Sequence, residues 1–555
     1  MTDDPAIRSH PSQVASGPQL EKAAHIPPPD PFRGKECVQR RPYPTTLPRD
    51  PPMNPLKAFL LALCLSAAAS AAQPNIVIFL VDDMGVMDTS VPFLTDASGK
   101  PQRYPLNDYF RTPAMERLAA RGIRFNQFNA MSLCSPSRIS LLTGKNAARH
   151  RTTNWINQST DNRGPKGPPE WNWKGLRKGD VTLPGLLRTA GYRTIQVGKA
   201  HFGPGDSEGA DPLNLGFEVN IAGGPIGHPA SYQGTLDFGA KSKQKANAVK
   251  GLEKYHGQDI FLTEALTLEA NAQVERAVKD KKPFFLHFAH YAVHTPFESD
   301  ARFADHYKDS GKPRNAQAYA TLVEGMDKSL GDLMDHLEKL GVAEDTLILF
   351  LGDNGSDSPL GEAHNVGSAA PLRGKKGSHY EGGMRVPFIA AWAKPTEGNA
   401  NQKKLPVKQG AVQTQFAAIQ DIFPTLSGLA EATAPDAYEM DGRKLDTLLT
   451  GAADGTHPDA FLMHYPHAPH RSNYFTTYRE GEWKVAYHYF PSAETGNSRY
   501  QLFNLKEDPF EQKDLSVSDP AALGRMMKAL VSALQKEHAL YPVDDAGAPV
   551  KPVVP

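Results

Sequence analysis

Apolar runs of strand length recur along this chain between longer stretches with helical spacing, and that alternation restricts the fold more than any other feature. The runs NIVIFLVDD (75 to 83), GIRFNQFNA (122 to 130), YRTIQVGKAH (192 to 201), KPFFLHFAHY (282 to 291) and DTLILFLGDNG (345 to 355) are near-continuously apolar at their centres, as strands covered on both faces are. Between them, TPAMERLAARG (112 to 122) and AQAYATLVEGMDKSLGDLMDHLEKLG (316 to 341) repeat apolar residues at helical spacing and end at glycine. The expected fold is therefore α/β, a large, mainly parallel sheet sandwiched by helices. In such sheets, sites form beyond the carboxyl ends of the strands.

Past residue 450 the texture changes. WKVAYHYF (483 to 490) and RYQLFNL (499 to 505) are short strand-like runs, and Asp519-Pro520 caps an amphipathic helix that carries Leu523, Met526, Met527, Leu530 and Leu534 on one side. The expected division is a large domain over 73–450, a small α+β domain of antiparallel sheet plus helix over 451–540, and an irregular tail over 541–555. Residues 53–72 have the order of parts of a secretory signal peptide: Lys57, an apolar run from Ala58 to Leu65, and small residues ending Ala69-Ser70-Ala71. That run is too short for a permanent membrane span. Residues 1–52, rich in Pro, Arg and Asp and without hydrophobic period, are expected to be disordered or an extension upstream of a true start at Met53.

The expected location is thus exported, periplasmic or extracellular. Of three cysteines, Cys37 and Cys64 fall in the segments expected to be absent from the mature chain, which leaves Cys134 with no partner in an oxidising compartment. Lys plus Arg and Asp plus Glu both number 61, so no global field gathers nucleic acid or acidic membrane, and any attraction for an anion is local.

The strand-end rule collects chemistry. Asp82 and Asp83 follow one apolar run, and Asp353 and Asn354 follow another. Three carboxylates and an amide oxygen brought together repel unless a cation sits among them, and an all-oxygen set suits hard Ca²⁺ or Mg²⁺, with calcium the more tolerant of irregular ligands. Lys199 and His201 follow the run TIQV, His294 lies just beyond PFFLHFA, and Arg373, Lys375 and Lys376 stand in a glycine-rich loop. His287 and His290, within or at the edge of their run, fit core or rim packing. Cys134 precedes Pro136 at the entry of a helix that stops at Gly144. There the helix dipole and free N–H groups lower a thiol pKa and favour an oxyanion, and Arg138 stands one turn on.

CSPSRISLLTGK, Cys134 to Lys145, resembles the signature of the type I sulfatases, in which this cysteine is oxidised to formylglycine after translation. In the family's order it is accompanied by DDMG (82 to 85), GKAHFG (198 to 203), HTPF (294 to 297), GDNG (352 to 355), GKKGSHYEGGMRVP (374 to 387) and YQLFNLKEDPFEQKDL (500 to 515). The resemblance implies an alkaline-phosphatase-like fold and a sulfuric ester hydrolase. It implies one Ca²⁺ held by Asp82, Asp83, Asp353, Asn354 and the converted Cys134, and a formylglycine-generating maturation enzyme as partner. It also implies that Arg138, Lys145 and Lys199 hold the formylglycine and the sulfate, that His201 lies against the formylglycine, and that His294 with Lys376 faces the ester oxygen. A hydrated aldehyde carries two hydroxyls, one to attack sulfur and one to expel sulfate after His201 deprotonates it, which neither a serine nor a thiol offers. Ala200 stands where the family often has Trp, and Gly352 where it often has Ser.

Two alternatives remain beside a sulfatase. Phosphonate monoester and phosphodiester hydrolases of the same superfamily also use formylglycine but tend to place His where this chain has Asn354. A non-catalytic protein binding sulfated glycans would leave Cys134 unconverted. MHYPHAPHRSNY (463 to 474) and GHPASY (227 to 232) concentrate His464, His467, His470 and His228 in segments suited to a polar rim. The expected substrate is a sulfated carbohydrate, contacted by His228, His464 and His467.

Overall fold

Why do the apolar runs carry no polar face? In the computed structural model, which describes residues 73–491 and 498–555, they form the interior of an eight-stranded sheet. The expected extension 1–52 and signal segment 53–72, with Cys37 and Cys64, lie outside the described residues. The strands in chain order are β1 (Asn75–Val81), β2 (Gly122–Phe125), β3 (Phe128–Asn129), β4 (Arg193–Gly198), β5 (Val219–Ile221), β6 (Phe284–Ala289), β7 (Thr346–Gly352), β8 (Phe388–Trp392), β9 (Ala411–Gln413) and β10 (Ala417–Ala418). The large sheet runs β5-β4-β6-β1-β7-β8-β2-β9, and β3 pairs with β10 beside it. Only β8 runs antiparallel to its neighbours β7 and β2. The sheet is therefore mainly parallel.

Every residue of β1 is buried. Val77, Phe79 and Val81 enter one apolar cluster, while Ile76, Ile78 and Leu80 enter the other. That alternation across the pleat is the direct result of helices covering both faces. The helices that matter below are α1 (Pro113–Arg121), α2 (Cys134–Thr143), α3 (Leu262–Lys279), α4 (Arg314–Lys339) and α5 (Pro520–Lys536). α1, α3 and α4 supply the first cluster, with Leu118, Leu266 and Met326 among its members; α2 supplies Ile139, Leu141 and Leu142 to the second. Asp327 on α4 accepts from the backbone N–H groups of Ala114 and Met115, both at 2.8 Å, and so caps the start of α1 from outside it.

A second sheet is an antiparallel meander of β11 (Ala460–Tyr465), β12 (Phe475–Glu480), β13 (Trp483–His488) and β14 (Tyr500–Asn504). α5 begins where Asp519 Oδ1 accepts from Ala522 N at 2.9 Å, and its Leu523, Met526, Met527, Leu530 and Leu534 pack on this sheet. Among the described residues, no helix is long and apolar enough to cross a membrane.

The ends of the parallel strands decide where chemistry collects. β1, β4, β6 and β7 are parallel neighbours, so their carboxyl ends open along one edge. Asp82 and Asp83 follow β1, Lys199 and His201 follow β4, His294 lies five residues beyond β6, and Asp353 follows β7.

Candidate active site

Cys134 opens α2 after an extended Leu133 (φ −142°, ψ 157°), and the helix closes at Gly144 in the left-handed conformation (φ 68°). Its thiol is buried, and Sγ lies 3.4 Å from His201 Nδ1. His201 Nε2 is 2.6 Å from the carbonyl oxygen of Ile156. A carbonyl only accepts, so Nε2 carries the ring hydrogen and Nδ1 turns its lone pair to Cys134. Burial, reinforced by Lys199 and Arg138, pushes His201 down to about 3 and keeps it neutral.

Beside the thiol, Asp82, Asp83 and Asp353 are fully buried, with one carboxylate oxygen of each within 4.8 Å of the others. Three cations face them. Lys199 Nζ donates to both oxygens of Asp82 (2.8 and 2.6 Å), Arg138 Nε donates to Asp353 Oδ2 (2.8 Å), and Lys376 Nζ donates to Asp83 Oδ2 (2.7 Å). Burial raises Asp82, and it lifts Asp353 to about 6. For Asp83 burial is outweighed by His294, Lys376 and Lys199, which hold its carboxyl well below the usual range. Asp83 also needs a left-handed backbone (φ 60°), which turns its N–H onto Asp353 Oδ1 at 3.0 Å.

Asn354 Nδ2 donates to Asp83 Oδ1 at 3.0 Å, while its amide oxygen is buried with no partner among the described residues. An orphaned buried acceptor beside three carboxylates is an all-oxygen donor set in want of a cation. The set fits a hard divalent ion.

Cys134 and His201 share a cavity of about 310 Å³ with His294 and Lys376. His294 Nδ1 is 3.0 Å from the carbonyl oxygen of Thr295, so it donates there, and Nε2 accepts from Lys376 Nζ at 3.0 Å. Burial pushes His294 down to about 3, against the pull of Asp83. A thiol at a helix N-terminus, ringed by a lysine, two imidazoles and an acidic cluster, can take and hold a tetrahedral anion at its floor.

The family model for sulfatases matches residues 74–432. The chain belongs to the sulfatase family. It is 31% identical to N-acetylgalactosamine-6-sulfatase of Homo sapiens over 506 residues, covering 86% of this chain and 88% of that protein. Against arylsulfatase A of Homo sapiens it is 29% identical over 518 residues, covering 86% and 90%. The solved structure of Ps i-CgsB superposes with a TM-score of 0.64 at 25% identity, over 84% of this chain and 93% of that one. That of yidJ from Bacteroides fragilis gives 0.60 at 19% identity, over 85% and 98%, and bears on the fold alone. The fold is alkaline-phosphatase-like, and the protein is a type I sulfatase, an enzyme of sulfate-ester hydrolysis.

The sulfatase gathers Cys134, Arg138, Lys199, His201, His294, Lys376, Asp82, Asp83, Asp353 and Asn354 at one strand-end site, and His228 lines the same cavity. Three expected residues stand elsewhere. Lys145 lies past the far end of α2, its Nζ 4.3 Å above the Tyr438 ring, beside a separate cavity. His464 is buried between Thr476 Oγ1 and the carbonyl oxygen of Leu540, both at 2.7 Å, and serves the second sheet. His467 is spent on Thr153 Oγ1 (2.8 Å) and the carbonyl oxygen of Arg163 (3.0 Å). Of that histidine-rich stretch it is His470 that reaches the cavity wall, together with Trp155, Gln158 and Asn247 from irregular segments. No periodicity marks those four, because loops carry none; only their polarity and the lone indole hint at a wall.

Proposed function

We propose that this sulfatase is exported to the periplasm or outside the cell and cleaves sulfate monoesters on a sulfated carbohydrate, with Cys134 converted to formylglycine by a maturation enzyme. The supporting observation is the position of Cys134: a solitary thiol at a helix entry, on the floor of a cavity, with His201 Nδ1 at 3.4 Å and the acidic cluster behind it. Asp82, Asp83, Asp353 and Asn354, with the converted residue, would hold one calcium ion. When bound, that ion would supply positive charge that favours an ionised nucleophile and draws the sulfate oxygens.

The chain's own residues divide the remaining work. Arg138, Lys199 and Lys376 offset the charge of the sulfuryl oxygens as the ester bond breaks. His294 hands a proton to the leaving oxygen after taking it from Lys376 Nζ, whose hydrogen bond its Nε2 accepts at 3.0 Å. His201, neutral and fixed by Ile156, takes a proton through Nδ1 at residue 134 when sulfate is expelled. Buried Asn354 in place of a cationic imidazole suits a sulfate monoester rather than a phosphodiester. The carbohydrate assignment draws on the amide and imidazole side chains Gln158, Asn247 and His228 in the cavity lining, on relatives named N-acetylgalactosamine-6-sulfatase, and on a neighbouring structure, Ps i-CgsB, solved with k-i-k-neocarrahexaose.

Mass spectrometry of the peptide holding residue 134, from protein made in a host with the maturation enzyme, tests the nucleophile. Loss of the thiol mass in favour of the aldehyde or its hydrate is expected, with turnover lost in Cys134→Ala. An intact thiol in fully active enzyme overturns the proposal. Sulfate and phosphate esters of one alcohol, compared side by side, test the ester class.

A further inference from the structure

The cavity wall above the sulfate site holds an amide oxygen, that of Gln158, with no hydrogen-bond partner among the described residues. Gln158 Nε2 donates to Asn247 Oδ1 at 2.8 Å, and Asn247 Nδ2 donates to His228 Nε2 at 2.7 Å. His228 Nδ1 donates to the carbonyl oxygen of Pro229 at 3.0 Å, and the ring lies parallel to that of His294, 5.5 Å between centroids and 8° apart. The chain of bonds thus runs from Gln158 to His228, whose ring stacks on that of His294, and leaves Gln158 Oε1 with no protein partner among the described residues. On the other side, His470 lines the cavity with its Nδ1 buried against Gly377. His470 reaches this position because residue 377 is glycine: a Cβ there would fall 2.0 Å from that same nitrogen.

The wall is also fixed in place. Asn162 donates to the carbonyl oxygen of Trp155 (2.9 Å) and accepts from Asn157 N (3.2 Å), which sets the backbone carrying Trp155 and Gln158. A half-buried indole in the same lining as a free amide oxygen is a surface for a sugar, apolar against the C–H face and polar at the hydroxyls. At about 310 Å³ the cavity sits at the lower limit of ligand pockets, roughly 300 Å³. The Gln158–Asn247 bond ties together two of the loops that line this small cavity.

We infer that this site is a one-residue pocket that acts on a sulfated sugar at the end of a glycan chain, with Gln158 reading its hydroxyls and Asn247 as the positioning residue that aims Gln158 and His228. This rests on the proposed carbohydrate sulfatase activity. The test uses the mature, full-length enzyme on sulfated oligosaccharides from carrageenan, chondroitin and heparin, with 4-nitrophenyl sulfate as a sugar-free probe. Mass spectrometry locates each sulfate removed. Loss from terminal residues only is expected. Gln158→Ala and Asn247→Ala should raise KM on the oligosaccharide so that kcat/KM falls on the order of tenfold further than on 4-nitrophenyl sulfate. Removal of internal sulfates at a comparable rate overturns the pocket while leaving the carbohydrate assignment standing. Equal losses on both substrates also overturn it, since damage to the fold alone would do that. Hydrolysis of 4-nitrophenyl sulfate with no oligosaccharide desulfated removes the carbohydrate assignment, and the inference with it.

Discussion

Lys376 Nζ lies 2.7 Å from Asp83 Oδ2 and also donates to His294 Nε2 at 3.0 Å, so a single ammonium joins the acidic cluster to the cavity wall. Burial alone would discharge that lysine, but Asp83 reverses the effect and raises its pKa. Lys376→Ala removes the charge that faces the sulfuryl group and leaves Asp83 without one of its partners. Loss of one such preorganised donor costs about 10²–10³ in kcat. Steady-state hydrolysis of 4-nitrophenyl sulfate by the mature variant checks this, and a rate within tenfold of wild type would remove Lys376 from the chemistry.

His294 makes a sharper forecast because its contribution depends on the leaving group. General acid catalysis is worth about 10²–10⁴ where the departing oxygen is a poor leaving group, and little where it is already stable as an anion. His294→Ala should therefore slow hydrolysis of an alkyl or sugar sulfate far more than that of 4-nitrophenyl sulfate. A plot of log kcat against leaving-group pKa should steepen in the variant. Parallel plots for the two enzymes would mean that the proton comes from elsewhere.

Lys145 belongs to the most legible motif in the chain, yet it is outside the site. α2 has ten residues and is about 15 Å long, so Cys134 and Lys145 stand at its opposite ends. Lys145→Ala should leave kcat/KM within about twofold, and since an exposed cation–π contact contributes about 0.5–1 kcal/mol, thermal stability should fall only slightly. A hundredfold loss of activity would show that the contiguous motif, rather than the helix geometry, reports the lysine's role.

That contrast shows what was legible. Asp82 and Asp83 after β1 and Asp353 after β7 could be read because a buried parallel strand must be apolar until it leaves the sheet, so the first charged residues mark its carboxyl end. The start of α2 could be read from Pro136 and its stop from Gly144, which needs the left-handed conformation observed. Which histidine of the stretch 464–470 reaches the cavity could not be read. His464 is fixed within β11, whereas His470 lies in a loop whose path depends on the empty side of Gly377. Trp155 and Gln158 share one loop, but Asn247 meets them from a segment 89 residues beyond Gln158, and nothing in a single sequence joins the two.

His464 carries a pH signature of its structural role. With Nε2 donating to the Leu540 carbonyl and Nδ1 accepting from Thr476, the ring is neutral, and burial lowers it to about 4 from an ordinary 6.5. Its folded pKa is depressed, so the unfolded chain takes up the proton first as pH falls. Stability is fully present above about pH 6.5 and declines as pH falls toward about 4, by up to about 3 kcal/mol at 1.36 kcal/mol per unit. Urea unfolding at pH 7 and pH 5 should give a smaller difference for His464→Gln than for wild type. An unchanged difference would assign the slope to other groups.

The strongest stability effect is expected at Lys484 on β13. Its ammonium is buried between Glu381 (3.0 Å) and Glu511 (2.7 Å), both fully buried, with Arg385 2.5 Å from Glu381 on the other side. Glu381 follows the glycine-rich loop that carries Lys376, so this network fastens the second sheet to the active-site loop. Burial opposes the charge on Glu381, but Lys484 and Arg385 outweigh it and hold its carboxyl far below the usual range, whereas burial raises Glu511. Lys484→Met keeps the volume of the stem but leaves two carboxylates facing one arginine in a dry interior. Removing one partner of such a group costs about 3–5 kcal/mol. The variant should unfold well below wild type in a thermal scan, and Lys484→Arg, which keeps the charge, should recover part of that loss. If Lys484→Met unfolds at the wild-type temperature, the two sheets are held by their apolar contacts alone and the buried charges contribute nothing to fastening the loop.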